Sequence, residues 1–376
     1  MKTEKLKVLL YGVMFLLAGG LIYSCKKDDA APTVDKTTLV ASIATATVLH
    51  DGALEGVAAG NFLKGSKATL MTAIIAAQAV VDASPAATQA QVTAAAATLD
   101  GAVVTFNGQL VTAIDPANLA GQWTFDEIPS AVVNAVVKDY SGNLRNGAIK
   151  KGHDYWGATP PPGLAGSGGV PTLVADRYGI AGKALHFDKG ANVEIPYSAG
   201  LNPGIISLSA WAKPDVNSPI VNNQYFISMN RWNGYKLNFQ DTPRAFFTCT
   251  YDNPAAVPPV LKACCFDRDQ NVGTAPQGAW HHYVVTFGGG HEIFYIDGIL
   301  VFDWANTPGT ISLLTSPGVA LVFGQDLPTS GYSLNSSDPN YLNWGGYYIG
   351  ALDEVRLYKS VLTPAQVTSI YNLEKP

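Results

Sequence analysis

Between Trp280 and Phe302 the chain reads WHHYVVTFGGGHEIFYIDGILVF, and no other stretch restricts the fold as much. Tyr283, Val285 and Phe287 fall on one side of an extended backbone; His282, Val284 and Thr286 fall on the other. Aromatic and β-branched residues at a period of two describe strands half buried in a sheet, not a helix. After Gly288–Gly290, Phe294 and Ile296 oppose Ile293 and Tyr295 in the same way. Asp297-Gly298 then offers two residues that tolerate positive φ, as a type I′ hairpin turn requires. Ile299–Phe302 returns as the partner strand.

The same pattern recurs between Gly, Pro, Asn and Asp clusters from Asp115-Pro116 onwards. It predicts strands over Gly121–Phe125, Ala184–Phe187, Asn192–Ile195, Ile206–Ala212, Gln224–Met229, Tyr235–Phe239, Arg244–Thr250, Trp280–Phe287, Glu292–Ile296, Ile299–Phe302, Val319–Phe323 and Tyr347–Tyr358. So many short strands without intervening helices argue an all-β sandwich. One helix is expected there, Thr363–Asn372. Thr363 can cap it, Pro364 suits its first position, and Val367, Ile370 and Tyr371 share an apolar face. All seven tryptophans lie in this half.

Residues 35–114 differ in kind, with abundant alanine and neither Trp nor Tyr. Leu39, Ile43, Ala46 and Leu49 recur at helical spacing, as do Leu70, Ile74, Ala77 and Val81. A third series runs through Val92, Ala96, Leu99, Val103, Phe106 and Leu110. Thr88 and Gln91 have the spacing of a capping box before it. Three amphipathic helices make a small antiparallel bundle, the third about 24 residues and ~36 Å long.

Ahead of the bundle, Lys2, Lys5 and Lys7 precede an apolar run, Val8–Ile22, with the tripartite plan of a secretory signal. The run is shorter than the ~20 residues of a spanning helix. The junction before Cys25 resembles a bacterial lipobox in the loose form familiar in Bacteroidetes. Lys26-Lys27-Asp28-Asp29 resembles the export signal that sends lipoproteins of that group to the cell surface. The resemblance implies lipidation at Cys25 and an outer-membrane, surface-exposed location, because three acyl chains anchor without a transmembrane helix. Cys249, Cys264 and Cys265 then sit where disulfides persist. Adjacent cysteines bond with strain, so Cys249 is expected to pair with Cys264 or Cys265. The bond would close a loop of about 15 residues, worth up to ~3 kcal/mol. No cysteine or histidine spacing fits a structural zinc.

Leu70–Val81 and Ala87–Phe106 resemble FIVAR-type modules, which occur beside carbohydrate-active domains as spacers. In the C-terminal half, GQWTFDE (Gly121–Glu127), VKDYSGNLRNG (Val137–Gly147), GKALHFDKGANVEIP (Gly182–Pro196), LSAWAKP (Leu208–Pro214), WHHYVVTF (Trp280–Phe287), IFYIDGILV (Ile293–Val301) and YIGALDEVRLYKSVLTPAQVTSIY (Tyr348–Tyr371) follow in order. Together they resemble the LamG-like jelly roll of the concanavalin A-like lectin/glucanase superfamily. The chain departs from that pattern in three long inserts, Lys150–Tyr178, Asp252–Thr274 and Gln325–Gly346; loops of such length usually carry function. The expected organisation is a signal peptide over 1–24, a tether over 25–34, a FIVAR-like three-helix bundle over 35–114 and a LamG-like β-sandwich over 116–376.

A net charge of −5 excludes a broad basic field for nucleic acid. The Glu-x-Asp-x-x-Glu strand of the fold's endoglucanases does not occur. Asp353-Glu354 within a strand would turn its carboxylates to opposite faces, wrong for an acid/base pair. His281-His282 likewise divides between faces. A non-catalytic protein is expected. The resemblance implies a structural calcium near Asp126, Glu127 and Asp353, with oxygens from the Asp139–Asn143 turn. Glycan binding needs a flat aromatic face beside polar groups. Trp232 and Tyr235 in one Asn-rich stretch, and Tyr341, Asn343 and Trp344 in another, have that mixture; Tyr155-Trp156 is a third candidate. The function expected is glycan capture by a surface lipoprotein, its lectin-like domain held off the membrane by a helical spacer, with an outer-membrane polysaccharide importer as partner. The alternative is an adhesion or assembly protein whose LamG-like domain grips a protein partner.

Overall fold

The structure, a computed structural model, describes residues 33–83, 86–154, 168–216, 223–240, 244–342 and 346–376. Cys25, Tyr155, Trp156, Asn343 and Trp344 lie outside them.

Among the described residues three helices come first: α1 (Thr37–Gly52), α2 (Ser66–Asp82) and α3 (Gln89–Asn107). Their buried faces carry Leu39 and Ala46, Leu70, Ile74 and Ala77, and Val92, Leu99 and Phe106, so helical spacing selects the core as expected. Thr88 caps α3 through a capping box: its Oγ1 accepts from the Gln91 amide at 3.3 Å, and its own amide donates to Gln91 Oε1 at 2.8 Å. α3 has 19 residues, about 28 Å, shorter than its apolar series implies because the chain turns off after Asn107.

Among the described residues seventeen strands follow: β1 (Leu119–Trp123), β2 (Val136–Val137), β3 (Gly147–Lys150), β4 (Thr172–Val174), β5 (Ala184–Phe187), β6 (Asn192–Ile195), β7 (Ile206–Pro214), β8 (Gln224–Ser228), β9 (Tyr235–Phe239), β10 (Ala245–Asn253), β11 (Val260–Asp269), β12 (His281–Gly288), β13 (His291–Ile296), β14 (Ile299–Ala305), β15 (Thr310–Ile311), β16 (Leu321–Phe323) and β17 (Gly350–Tyr358). They form two antiparallel sheets. One is ordered β14-β13-β12-β7-β17-β5-β4, with β1 on β17; the other is ordered β11-β10-β9-β8-β16-β6-β3-β2, with β15 on β10. This is a jelly-roll sandwich. Helix α4 (Pro364–Glu374) closes the chain, with Thr363 as its cap.

Trp123, Phe187, Phe247, Tyr283, Phe287 and Tyr348 fill the space between the sheets. Tyr283, Val285 and Phe287 point into it, while Val284 faces away, beneath α4, with Tyr295, Tyr358 and Val367. Asp297 and Gly298 have φ of 53° and 76°, as the tight turn demands. Ions bind α4 to this outer face: Arg356 pairs with Glu374 at 2.6 Å, and Trp211 Nε1 donates to Glu374 Oε2 at 2.9 Å. On its other side, α4 holds the chain leaving α3. The Ser369 hydroxyl donates to the Leu110 carbonyl at 3.0 Å and accepts from the Thr112 amide at 2.8 Å.

Three expectations are corrected. The Asp252–Thr274 insert is not a loop, because β11 pairs along β10 and forms the sheet edge. Its alternation is broken, which hid it. Cys249 does not form a disulfide. It faces the core opposite Phe266, while a bulge in β11 seats Cys264 and Cys265 across from Thr250, bonded to each other. Asp353 and Glu354 do not face apart either. A register shift between Asp353 and Arg356, with Glu354 at φ 50°, turns both carboxylates toward Arg177, at 2.6 and 3.8 Å.

Candidate functional site

Sheet pairing sorts the residues of the nine-stranded sheet by face. Asp267, Thr248, Lys236 and Ser228 stand opposite one another in one cross-strand row, and Phe246, Asn238 and Tyr225 in the next. Leu237, Phe247 and Ile227 occupy the alternate positions and belong to the core. The polar rows therefore face away from the sandwich interior. They are nevertheless buried: Lys236 is 5% exposed, Thr248 2% and Asn238 1%.

The chain between β16 and β17 lies against this face through an ion pair. Arg231 Nε meets Asp326 Oδ2 at 2.5 Å, both side chains fully buried. The same guanidinium donates from Nη1 to the carbonyls of Pro339 (3.1 Å) and Tyr341 (2.9 Å). The Tyr332 hydroxyl donates to Asp326 Oδ1 at 2.5 Å, and the Ser228 hydroxyl to the Asp326 carbonyl at 2.9 Å. Arg231 thus brings the Trp232 and Tyr341 loops together. Asn230 and Asn233 shape the turn: Asn230 Oδ1 accepts from the Trp232 amide, and Asn233 ties to Thr315 through both ends of its amide.

Trp232 is 42% exposed. Lys236 Nζ lies 4.2 Å from the centroid of its ring and 5.4 Å from that of Tyr225, within cation–π range. Burial lowers the Lys236 ammonium to about 8, against the opposing pull of Asp326 and then Asp267. Thr248 Oγ1 and Asn238 Oδ1 are buried and have no hydrogen-bond partner among the described residues. Such groups call for a partner, from water or from a bound molecule.

Of the residues expected to hold a glycan, Trp232 lies at this face and Tyr341 beside it. Tyr235 does not. It is an inward position of β9, 1% exposed, with its hydroxyl donating to the Leu201 carbonyl at 2.7 Å. Asn343 and Trp344 fall outside the described residues. Sequence reasoning missed Tyr225, Lys236, Asn238 and Thr248. The alternation in YKLNF (Tyr235–Phe239), apolar at odd positions and polar at even ones, was the available signal.

Of the expected calcium ligands, Asp126 is near enough to Asp353 to act on it electrostatically, but the others are taken up by the protein's own groups. Asp353 is held by Arg177, Glu127 pairs with Lys138 at 3.3 Å, and the Asp139 carboxylate accepts from the amides of Gln122, Ser141 and Arg145. Among the described residues no group of three His, Cys, Asp or Glu could hold a metal. As placed, these residues do not fit a calcium ion. Addition of EGTA is accordingly expected to leave the thermal midpoint unchanged; a fall of several degrees would contradict this arrangement.

The sandwich topology and this face can now be set beside known proteins. Residues 187–368 match the family model described as the concanavalin A-like lectin/glucanases superfamily. That region carries the lectin/glucanase jelly roll. Among solved structures, the chain is similar to domain 4 of AbnA, a GH43 extracellular arabinanase from Geobacillus stearothermophilus solved with arabinotriose. The two are 20% identical with a TM-score of 0.44, over 68% of this chain and 98% of that one. The binding domain of botulinum neurotoxin serotype G is 14% identical with a TM-score of 0.42, over 68% and 51%. A Trypanosoma rangeli sialidase mutant is 13% identical with a TM-score of 0.41, over 71% and 35%. No curated protein matches the chain.

Proposed function

We propose that the protein captures a glycan, without cleaving it, on the outward face of the nine-stranded sheet. One observation carries this reading: a half-exposed indole, Trp232, lies over the Lys236 ammonium on a polar outward face whose Thr248 and Asn238 oxygens have no hydrogen-bond partner among the described residues. A sugar ring has an apolar face for the indole and hydroxyls for the polar groups around it. The lectin/glucanase jelly roll is compatible with this, although a fold alone does not give a function. Asp353 and Glu354, the adjacent carboxylates of β17, are engaged by Arg177 and Arg356, which supports a binding role.

The N-terminal sequence completes the proposal. Lipidation at Cys25 would tether the protein to the outer membrane at the cell surface, where an importer could receive the captured polysaccharide. Helices α1–α3 would stand between anchor and lectin-like domain.

Affinity electrophoresis through a panel of polysaccharides tests the reading. Retardation by at least one polymer is expected, with the Trp232→Ala variant losing it while its folding is unchanged. Migration unaffected by every polymer, with a protein captured instead, would favour the adhesion role. Reducing ends released from any polymer would contradict a non-catalytic site.

A further inference from the structure

Lys236 is the least explained charge on this face. Its side chain leaves β9 between Trp232 and Tyr225, whose rings attract a cation but neutralise none of its charge. Among the described residues it makes no hydrogen bond and has no carboxylate at ion-pair distance. An ammonium carries three donors and no acceptor, and burying it unpaired is unfavourable. Two carboxylates are near enough to influence it, and neither answers it. Asp326 is engaged by Arg231 and by the Tyr332 hydroxyl. Asp267 stands two strands away on the sheet edge, exposed to water. The 5% of the Lys236 surface that stays exposed leaves the ammonium within reach of solvent or of a ligand.

We infer that the ligand of this face carries negative charge: an acidic polysaccharide, with a carboxylate or sulfate group, whose anion seats against the Lys236 ammonium. The inference rests on the glycan-binding reading above and narrows it to a chemical class. The neighbours fit such a unit. Trp232 offers its face to the ring and Lys236 takes the anion, with Thr248 and Asn238 on the same sheet face. The lowered affinity of Lys236 for its proton agrees, because a site built for an anion leaves its cation destabilised until the anion arrives. The whole chain carries a net charge of −5, so bulk electrostatics oppose a polyanion. Retention of one would therefore report a local site.

The test uses the full-length protein at 0.15 M salt, with polygalacturonate and alginate as carboxylate probes, dextran sulfate as the sulfate probe, and as neutral counterparts the carboxyl-reduced form of each uronate polymer and desulfated dextran. At least one anionic polymer is expected to bind, tenfold or more tighter than its carboxyl-reduced or desulfated form. Lys236→Met should lose about tenfold in affinity, while Lys236→Arg, which keeps the charge, retains most of it. Equal binding of charged and neutral forms, or full binding by Lys236→Met, would overturn the inference. If neutral polymers alone bind and Trp232→Ala abolishes this, the acidic class is refuted and the glycan reading stands. If no polymer of either kind binds, both fall. Should Lys236→Met fail to fold, the comparison of charged with neutral polymers on the wild type still decides.

Discussion

Replacing Arg231 by methionine is expected to cost about 3–5 kcal/mol of folding free energy, because it strands a fully buried carboxylate. At about 2–4 °C per kcal/mol for a domain of this size, the thermal midpoint should fall by ten degrees or so. Asp326 would keep only the Tyr332 hydroxyl, and the carbonyls of Pro339 and Tyr341 would lose their shared donor. Removing both charges, in Arg231→Met combined with Asp326→Leu, should recover much of the loss, since a buried pair is often no more stable than its apolar replacement. Urea unfolding of the two variants measures both effects. A single-variant loss below about 1 kcal/mol would mean that the pair is solvated, and that the loop carrying Tyr341 is not bound to the Trp232 turn.

The second large effect is a loss of stability in mild acid, governed by His282. Its ring is fully buried against Trp211 and Tyr371, with Nε2 sharing a 2.8 Å hydrogen bond with the Ser209 hydroxyl and Nδ1 unpartnered. Burial lowers its pKa from 6.5 to about 4. Between those values the unfolded chain binds a proton that the folded chain refuses, so stability falls as pH falls. The stabilisation is complete above about pH 6.5 and lost by about pH 4, a change of about 3 kcal/mol at 1.36 kcal/mol per unit. Glu292 acts in the opposite sense, because burial raises its carboxyl well above the usual range. The decisive quantity is therefore the difference between wild type and His282→Gln, which lacks the titrating ring. Urea midpoints from pH 7 to 4 should converge as pH falls. Parallel curves would show that His282 is reached by water.

How much of this was legible in the sequence follows from what alternation reports. Period two in WHHYVVTF and YKLNF fixes which side chains share a face, and the bundle's spacing fixes its core, because burial is the only demand on those residues. Helix α4 was readable from Thr363 and Pro364 for a similar reason, since caps are local chemistry. What escaped were features set by pairing between distant segments. β11 carries no clean alternation because it lies at an edge, where its side chains range from exposed to half-buried. The bulge at Glu354 reverses the facing that simple alternation assigns to Asp353-Glu354. Tyr235 looked like a platform because it adjoins Trp232 in sequence; being an inward position of β9, it belongs to the core. Lys236 and Thr248 became visible as a site only once the β9–β10 register set them opposite each other. Arg177 could not be identified as the partner of Asp353 from a separation of 176 residues.

The central claim is that the outward face of the nine-stranded sheet grips a saccharide. A crystal structure of the protein with an oligosaccharide cut from whichever polymer retards it tests that most directly. The account predicts density for a sugar ring against Trp232, with an oxygen of the ligand within hydrogen-bond distance of Lys236 Nζ. A sugar bound on the opposite sheet, or at the junction of α4 with the helical bundle, would contradict it.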